Sequence, residues 1–385
     1  MKRVALVVML VAVVLNFASG PAFAGGLNTD ALDRAVRIPP GDNAAGELAL
    51  VGTPEQTWSG SVGDLHSGRP VSPNAHYRIG SVSKLFEAVI VLQLAAEGRV
   101  CLDAPVQLYL PEALPLTFAP ITVRQLLNHT SGLPGEDEGA PAPTADYFVE
   151  HRYDYQTFAQ IVDSTLRPHG RAWPGPHFAP GTKQEYSSFA YRVAGLLIER
   201  VTGHSFADEV HRRITDPLGL TETSVPDRDP ALPAPALIGY VTTTDGKVVD
   251  IADQSGLPSS MISTSADIDR FFVAMMRGDL LPAAQQRELF AIPRDASGAL
   301  LCDVKTAPPG TQCFGSGPMT TRLGDGNVLW GKTGHDLGYA SGVFATPDLR
   351  LHGVYAVGRI TLDNGDAPAL ALRIAQAATQ GTPPH

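Results

Sequence analysis

The segment from Leu85 to Gly98 constrains the fold more than any other part of the chain. Its apolar residues recur at helical spacing and Gly98 is a typical stop, so the segment predicts a buried helix. Ser81 and Lys84 stand at its beginning. Because residues three apart share one face of a helix, the Lys84 ammonium can reach the Ser81 hydroxyl. A serine becomes a nucleophile when a neighbouring group can take its proton.

Two interpretations of this pair are open. In the plainer one, Ser81 only caps the helix and Lys84 is solvated. In the other, the helix start also directs its free backbone N–H groups at an oxyanion that forms on Ser81. The scarcity of lysine favours the second, because five lysines follow the first 24 residues: Lys84, Lys183, Lys247, Lys305 and Lys332.

Two further segments strengthen the catalytic interpretation. Tyr186-Ser187-Ser188 follows the turn-forming Pro180-Gly181 and precedes a predicted helix, Ala190 to Val201. Lys332-Thr333-Gly334 follows the strand-like Val328 to Trp330. Three short motifs in this order are much more specific than any one of them.

The chain resembles the penicillin-recognising serine hydrolases, in particular the branch of class C β-lactamases, D-alanyl-D-alanine carboxypeptidases and related esterases. Seven stretches carry the resemblance: Tyr77 to Lys84, Gly98 to Val106, Ile121 to Pro134, Phe178 to Gly181, Tyr186 to Ser188, Ile262 to Asp267 and Lys332 to Gly334. It implies an α/β fold of the α+β type. An antiparallel sheet would be flanked by N- and C-terminal helices and interrupted by an all-helical insertion.

The pattern along the chain agrees with that fold, since strand-like segments lie at both ends and helices between them. We expect residues 25–95 and 256–385 to form the sheet lobe, and 96–255 a mainly helical lobe, with the active site in the groove between. The further predicted elements are a short helix within 25–45, strands within Glu47 to Gly68, a helix from Ala266 to Met276 capped by Ser265, strands Ser341 to Ala345 and Leu351 to Val357, and a helix from Ala367 to Ala378.

The resemblance implies acyl transfer through a covalent acyl-Ser81. Tyr186 would lie near Ser81 and Lys84, and the cations Lys84 and Lys332 would favour its phenolate. Lys84 can be the base only if its pKa is depressed, because an ordinary lysine is protonated at neutral pH. The choice between Tyr186 and Lys84 stays open, since strongly coupled groups titrate as a unit.

The resemblance also implies a substrate side of the site. Lys332 and the Thr333 hydroxyl suit a substrate carboxylate, and Gly334 lets the strand approach closely because it has no Cβ. The backbone N–H of His335 would form an oxyanion hole with that of Ser81. The His335 imidazole is given no catalytic role.

Three positions bear on specificity. Ser188 stands where many relatives carry Asn; it is a substrate-binding candidate with a shorter side chain and without the amide's paired donor and acceptor. Some carboxypeptidase relatives place an Arg for the substrate carboxylate on the preceding strand. Here the corresponding residue is Met319, with Arg322 displaced by three.

The first 24 residues are predicted to be a signal peptide. Lys2 and Arg3 precede an apolar run, Ala5 to Leu15, and Ala22-Phe23-Ala24 is a small-residue cleavage site. The run is shorter than the roughly 20 residues of a membrane span, so no stable membrane anchor is expected. Cleavage would leave 361 residues and change the formal net charge from −10 to −12. That acidity argues against nucleic acid as a partner. We therefore expect a secreted or periplasmic protein.

The three cysteines have different predicted states. Cys302 and Cys313 flank the turn Pro308-Pro309-Gly310, which predicts a local disulfide in an oxidising compartment. Cys101 ends the apolar helix that begins near Ser81 and is predicted to be a buried free thiol.

Other motifs are set aside on their context. Gly326 to Thr333 matches the P-loop pattern, but a glycine-broken segment follows it where a P-loop needs a helix. There is no G-x-S-x-G and no H-E-x-x-H, and the histidines show no ligand spacing, so neither a metal nor a cofactor is expected. His129 is predicted to be a structural residue beside the groove. Trp173 and Tyr147 are either rim or packing residues.

The predicted function is that of an exported serine hydrolase, with D-alanyl-D-alanine carboxypeptidase-like action on peptidoglycan stem peptides as the first choice. The alternatives on the same scaffold are a β-lactamase and a small-ester esterase. An alternative of another class is a penicillin-binding sensor with negligible turnover. The expected partner is a small peptide, β-lactam or ester substrate.

Overall fold

The computed structural model describes residues 26–114, 118–135, 143–167, 175–255, 257–324, 326–362 and 369–379. The predicted signal peptide and Trp173 lie outside these residues. The helices are α1 Thr29–Ala35, α2 Ser83–Ala96, α3 Val123–Leu127, α4 Ala145–His151, α5 Phe158–Leu166, α6 Ser188–Thr202, α7 Phe206–Val210, α8 Asp216–Leu218, α9 Ser265–Arg277, α10 Ala283–Leu289 and α11 Ala369–Thr379. The strands are β1 Gly46–Gly52, β2 Thr57–Val62, β3 Tyr77–Arg78, β4 Tyr240–Thr242, β5 Val248–Asp250, β6 Ile262–Ser263, β7 Cys313–Phe314, β8 Met319–Arg322, β9 Val328–Asp336, β10 Tyr339–Ala345 and β11 His352–Gly358.

The main sheet has seven strands in the order β2-β1-β11-β10-β9-β8-β7, and every neighbouring pair is antiparallel. Strands from the two ends of the chain meet where β1 pairs with β11. The fold is thus the predicted antiparallel sheet with a large, mainly helical insertion. That insertion is not entirely helical, since β4 and β5 form a hairpin within it.

Both faces of the sheet are covered, because successive strand residues point to opposite sides. On β1, Leu48 packs in a core with α2, α6 and α9, whereas Ala49 and Val51 pack against α1 and α11. A sheet covered on both faces can bury a whole strand, and all seven β1 residues are buried, including Glu47, which pairs with Arg373 of α11. The side with α2 is the one that holds the catalytic candidates.

Helix α2 runs through the larger core, with every residue from Ser83 to Leu92 buried. Phe86 stacks on Phe271 of α9, with ring centroids 3.8 Å apart. The predicted cap of α9 is wrong by one residue: α9 begins at Ser265 itself, and the Thr264 side chain accepts the hydrogen bond from the Asp267 N–H.

The structure joins Cys302 and Cys313 in the predicted disulfide. The prediction for Cys101 is wrong, because its thiol is exposed. Helix α2 ends at Ala96 and Gly98 adopts a φ of +73°, so Cys101 lies in the loop beyond the helix rather than in the core. None of the helices in the described ranges is both long and apolar enough to cross a membrane.

Candidate active site

Ser81 lies in a short 3₁₀ turn, Gly80–Val82, that leads directly into α2. The turn keeps Ser81 and Lys84 on one side, and the Lys84 Nζ donates a hydrogen bond to the Ser81 Oγ at 3.1 Å. Lys84 is only 3% exposed. The plain interpretation of a solvated lysine beside a capping serine is therefore wrong.

Tyr186 lies in the loop before α6, and the next residue, Ser187, is the N-cap of that helix. The Ser187 side chain accepts from the Ala190 N–H and caps α6. The Tyr186 hydroxyl hydrogen-bonds the Ser81 Oγ at 2.8 Å. The structure thus brings Ser81, Lys84 and Tyr186 together from two distant segments.

Lys332 approaches Tyr186 from β9. Its Nζ is 4.8 Å from the centroid of the Tyr186 ring and donates a hydrogen bond to the Thr333 carbonyl at 3.0 Å. Lys332 is 2% exposed, so its charge is directed at the Tyr186 ring and the strand rather than outward. Burial lowers the pKa of Lys332, the negative form of Tyr186 opposes this effect, and Lys84 adds to it.

The electrostatics of Tyr186 favour a proton acceptor. Burial raises the pKa of Tyr186, but the charges of Lys332 and Lys84 and hydrogen bonds with Ser81 and Ser188 outweigh it and lower the pKa to about 7. A large fraction of phenolate is therefore present at neutral pH, 2.8 Å from the Ser81 Oγ. This arrangement favours Tyr186 as the acceptor of the serine proton.

Ser188 is the first residue of α6 and lines the groove, as a substrate-binding residue would. It is also one of the groups that lower the pKa of Tyr186. The Ser188 side chain therefore favours the phenolate form of Tyr186 and also lines the groove.

Strand β9 passes very close to the turn that carries Ser81. A Cβ on Gly334 would lie 2.0 Å from the Ile79 carbonyl oxygen, and one on Gly80 would lie 2.3 Å from the His335 carbonyl oxygen. Gly80 also has a φ of +50°, a conformation that glycine adopts readily. The Ser341 hydroxyl on β10 donates to the Ile79 carbonyl at 2.9 Å and fixes the turn to the sheet. These contacts place the backbones at Ser81 and His335 side by side, as the predicted oxyanion hole requires.

Gly334→Ala is expected to lower kcat/KM about 100-fold. The new Cβ would force β9 away from the Ile79 carbonyl by about 1 Å, and displacements of that size around reacting groups have effects of this magnitude. Steady-state kinetics on an activated ester would measure the loss.

Gly26→Ala is the matched control, because its Cβ would meet only the end of the Gln56 side chain, at 3.1 Å. Its kcat/KM should equal that of the unchanged protein. A Gly334→Ala enzyme with full activity would contradict the close approach of β9 to the nucleophile.

The groove in front of Ser81 has a volume of about 460 Å³. Charged side chains of both signs line it, including Lys84, Arg192, Glu185 and Asp336. Sequence reasoning missed Glu185, Arg192 and Asp336, although Glu185 and Asp336 lie next to the Tyr186 and His335 that it identified. Tyr147, which it considered for the rim, does not line this groove and lies half-exposed on α4.

Neither Met319 nor Arg322, on the strand before the Lys332 motif, is in place to bind a substrate carboxylate. Met319 is buried on β8 opposite Gly331. Arg322 donates to the carbonyls of Val304 and Ala307. The described part of β8 therefore supplies no cation to the groove.

Comparison with known proteins identifies the family. The family model described as Beta-lactamase matches residues 38–379. Esterase EstB of Burkholderia gladioli is 35% identical over 173 residues, 43% of each chain, and penicillin-binding protein 4* of Bacillus subtilis is 26% identical over 249 residues, 61% of this chain and 52% of the relative. The matches thus span about half the length of these relatives.

Solved structures match over more of the chain. A D-stereospecific amidohydrolase from Streptomyces sp. has a TM-score of 0.76 and 31% identity, covering 92% of this chain and 99% of its own. A D-amino acid amidase from Ochrobactrum anthropi, 24% identical with a TM-score of 0.72, shows the same fold. The residues from Ser81 to Gly334 that form the site lie within the matched range, and the chain belongs to the beta-lactamase family of serine hydrolases.

Proposed function

We propose that the protein hydrolyses amide or ester bonds next to a D-configured amino-acid residue through an acyl-enzyme on Ser81. The observation that carries the proposal is the contact of the Ser81 Oγ with both the Tyr186 hydroxyl, at 2.8 Å, and the Lys84 Nζ, at 3.1 Å. The preference for D-residues is supported by the 31% identity with the Streptomyces D-stereospecific amidohydrolase over nearly the whole chain.

In the proposed reaction, the Ser81 Oγ attacks the substrate carbonyl while its proton passes to the Tyr186 oxygen. Backbone N–H groups of Ser81 and His335 would stabilise the oxyanion, and one such donor contributes roughly 3 kcal/mol. The C–N or C–O bond of the tetrahedral intermediate then breaks, and the leaving group takes the proton from Tyr186. In the second half, water attacks the acyl-Ser81 ester while its proton passes to the Tyr186 oxygen. The ester C–O bond then breaks, the Ser81 Oγ takes that proton back, and the acid is released.

D-alanyl-D-alanine carboxypeptidase action is the second candidate. The Lys332-Thr333-Gly334 motif beside Ser81 and the similarity to penicillin-binding protein 4* favour it. Against it, Lys332 is directed at Tyr186, and Arg322 is bound to backbone carbonyls of another loop. A substrate that ends in a carboxylate would therefore lack the arginine partner that it has in some relatives, so we rank neutral amides and esters first.

A substrate panel separates these functions. We expect turnover of D-alanine amide to exceed that of L-alanine amide by about tenfold or more, which is about 1.4 kcal/mol in the barrier. p-Nitrophenyl acetate should also be turned over. Faster cleavage of a D-Ala-D-Ala peptide than of D-alanine amide would establish the carboxypeptidase, and faster cleavage of a chromogenic cephalosporin the β-lactamase. A long-lived adduct with a fluorescent penicillin and no turnover of any compound would establish a sensor.

We also propose that the protein is exported. The charged start, apolar run and Ala22-Phe23-Ala24 site support cleavage near Ala24. The Cys302–Cys313 disulfide fits an oxidising compartment. N-terminal sequencing of protein recovered outside the cytoplasm should begin near Gly25, and recovery of uncleaved protein from the cytoplasm alone would contradict export.

A further inference from the structure

His129 is a completely buried residue whose main chain and side chain both face the loop that carries Tyr186. Its carbonyl accepts a hydrogen bond from the Glu185 N–H at 2.9 Å, and its Nδ1 accepts one from the Ser187 N–H at 3.2 Å. The residues before and after Tyr186 are thus both held by His129.

The two contacts depend on an unusual backbone conformation. His129 has a φ of +61°, which is uncommon for a residue other than glycine. The flanking chain reinforces the arrangement, because Gln184 Nε2 donates to the Asn128 carbonyl at 2.9 Å and to the Phe314 carbonyl at 2.8 Å. The loop before α6 is therefore bound at Gln184, Glu185 and Ser187, on both sides of Tyr186.

The imidazole also contacts the Tyr186 ring itself. The ring centroids are 4.7 Å apart, and Phe314 and Tyr191 enclose the imidazole at 4.8 and 5.3 Å. We infer that His129 is a positioning residue for the proposed reaction: it holds the Tyr186 oxygen between Ser81 and the two lysines.

The hydrogen-bond chemistry requires that this histidine stay neutral. An imidazolium carries a proton on Nδ1 and cannot accept from the Ser187 N–H. Burial, followed by the charges of Lys332 and Lys84, holds the pKa of His129 well below its usual range. The acceptor is therefore present throughout the pH range in which Tyr186 ionises, and its bond to the Ser187 N–H occupies the Nδ1 lone pair that a base would need.

The inference rests on the proposed function, and its test is the pH profile of kcat/KM for p-nitrophenyl acetate. His129→Gly keeps the positive φ but removes the ring and the acceptor. Tyr186 would then move away from the lysines, and its pKa would rise from about 7 toward its usual value near 10. We expect the ascending limb of the profile to move up by more than about one pH unit and kcat to fall about 100-fold or more.

Three further variants make the test decisive. Asparagine at position 129 tolerates the same φ and offers an acceptor oxygen. The kcat of His129→Asn and the pH of its ascending limb should therefore lie between those of the unchanged protein and of His129→Gly. Tyr240→Phe removes a buried bond to the Asp64 carboxylate outside the groove; it should lower the melting temperature and leave the limb unchanged. If His129→Gly does not fold, His129→Ala is measured in its place. If neither of these variants folds, the pH profile of His129→Asn is the test.

A folded His129→Gly or His129→Ala enzyme with the original limb and kcat overturns the inference, as does a His129→Asn enzyme with the original profile when it alone folds. Loss of melting temperature without any change in the profile would likewise reduce His129 to a packing residue. Failure of the proposed function is distinguishable, because a Ser81→Ala enzyme would then retain turnover whatever the His129 variants do.

Discussion

Replacing Ser81 with alanine is expected to abolish acylation and to lower turnover by about 10⁴-fold or more, the range found when the nucleophile of a serine hydrolase is removed. Alanine removes the Oγ that hydrogen-bonds Tyr186 and Lys84, and no other atom of the 3₁₀ turn Gly80–Val82 can form the ester. Labelling with fluorescent penicillin and steady-state hydrolysis of D-alanine amide measure the two losses separately.

Ser164→Ala is a suitable control, because this serine is exposed on α5 and does not line the groove. Its labelling and turnover should match those of the unchanged protein. Turnover that persists in folded Ser81→Ala would remove the acyl-enzyme proposal altogether.

Replacing Tyr186 with phenylalanine is expected to lower kcat/KM by about 10²–10⁴-fold, the usual contribution of a general base. The pH dependence follows from its pKa of about 7. Below that pH the phenol is protonated and cannot accept the Ser81 proton, so kcat/KM should fall about tenfold per pH unit; above it, the phenolate predominates and the profile should level off. In Tyr186→Phe this ascending limb should disappear.

Tyr147→Phe serves as the control, since this tyrosine is half-exposed on α4 and lies outside the groove lining. It should keep both the rate and the limb near pH 7. If instead Tyr186→Phe kept the limb while losing rate, another group would be the base, and Lys84 would be the first to test.

The sheet and the large helices could be predicted because their patterns are local. Helix α2 has apolar residues at every turn and a glycine stop, and β1, β10 and β11 are mostly apolar runs in which Glu47, Ser341 and His352 are the exceptions. The residue pattern alone does not delimit the short strands β7 and β8. Segments of two and four residues carry too little alternation to be distinguished from loops.

The two wrong local predictions have different origins. Thr264 and Ser265 are both good caps, and the sequence does not show which one has the extended backbone that capping requires. Cys101 lies five residues beyond the end of α2 at Ala96, because the positive φ of Gly98 turns the chain out of the core first.

The candidate site could be assembled from sequence only through its motifs. Periodicity places Lys84 beside Ser81, but nothing local shows that Lys332 lies 4.8 Å from the Tyr186 ring, because that distance depends on the fold of the whole chain. The role of His129 was equally hidden. Its contacts depend on a positive φ, which in a histidine has no sequence signature.

The absence of side chains at Gly80 and Gly334 has a consequence for how this enzyme could acquire new substrates. One wall of the groove is backbone pressed against backbone, and any enlargement there would separate the oxyanion donors from the nucleophile. Adaptation to a bulkier acyl group must therefore use other lining residues, such as Leu133, Leu257 and Ser260, whose side chains can change size. Directed evolution of substrate range should collect its mutations at such positions.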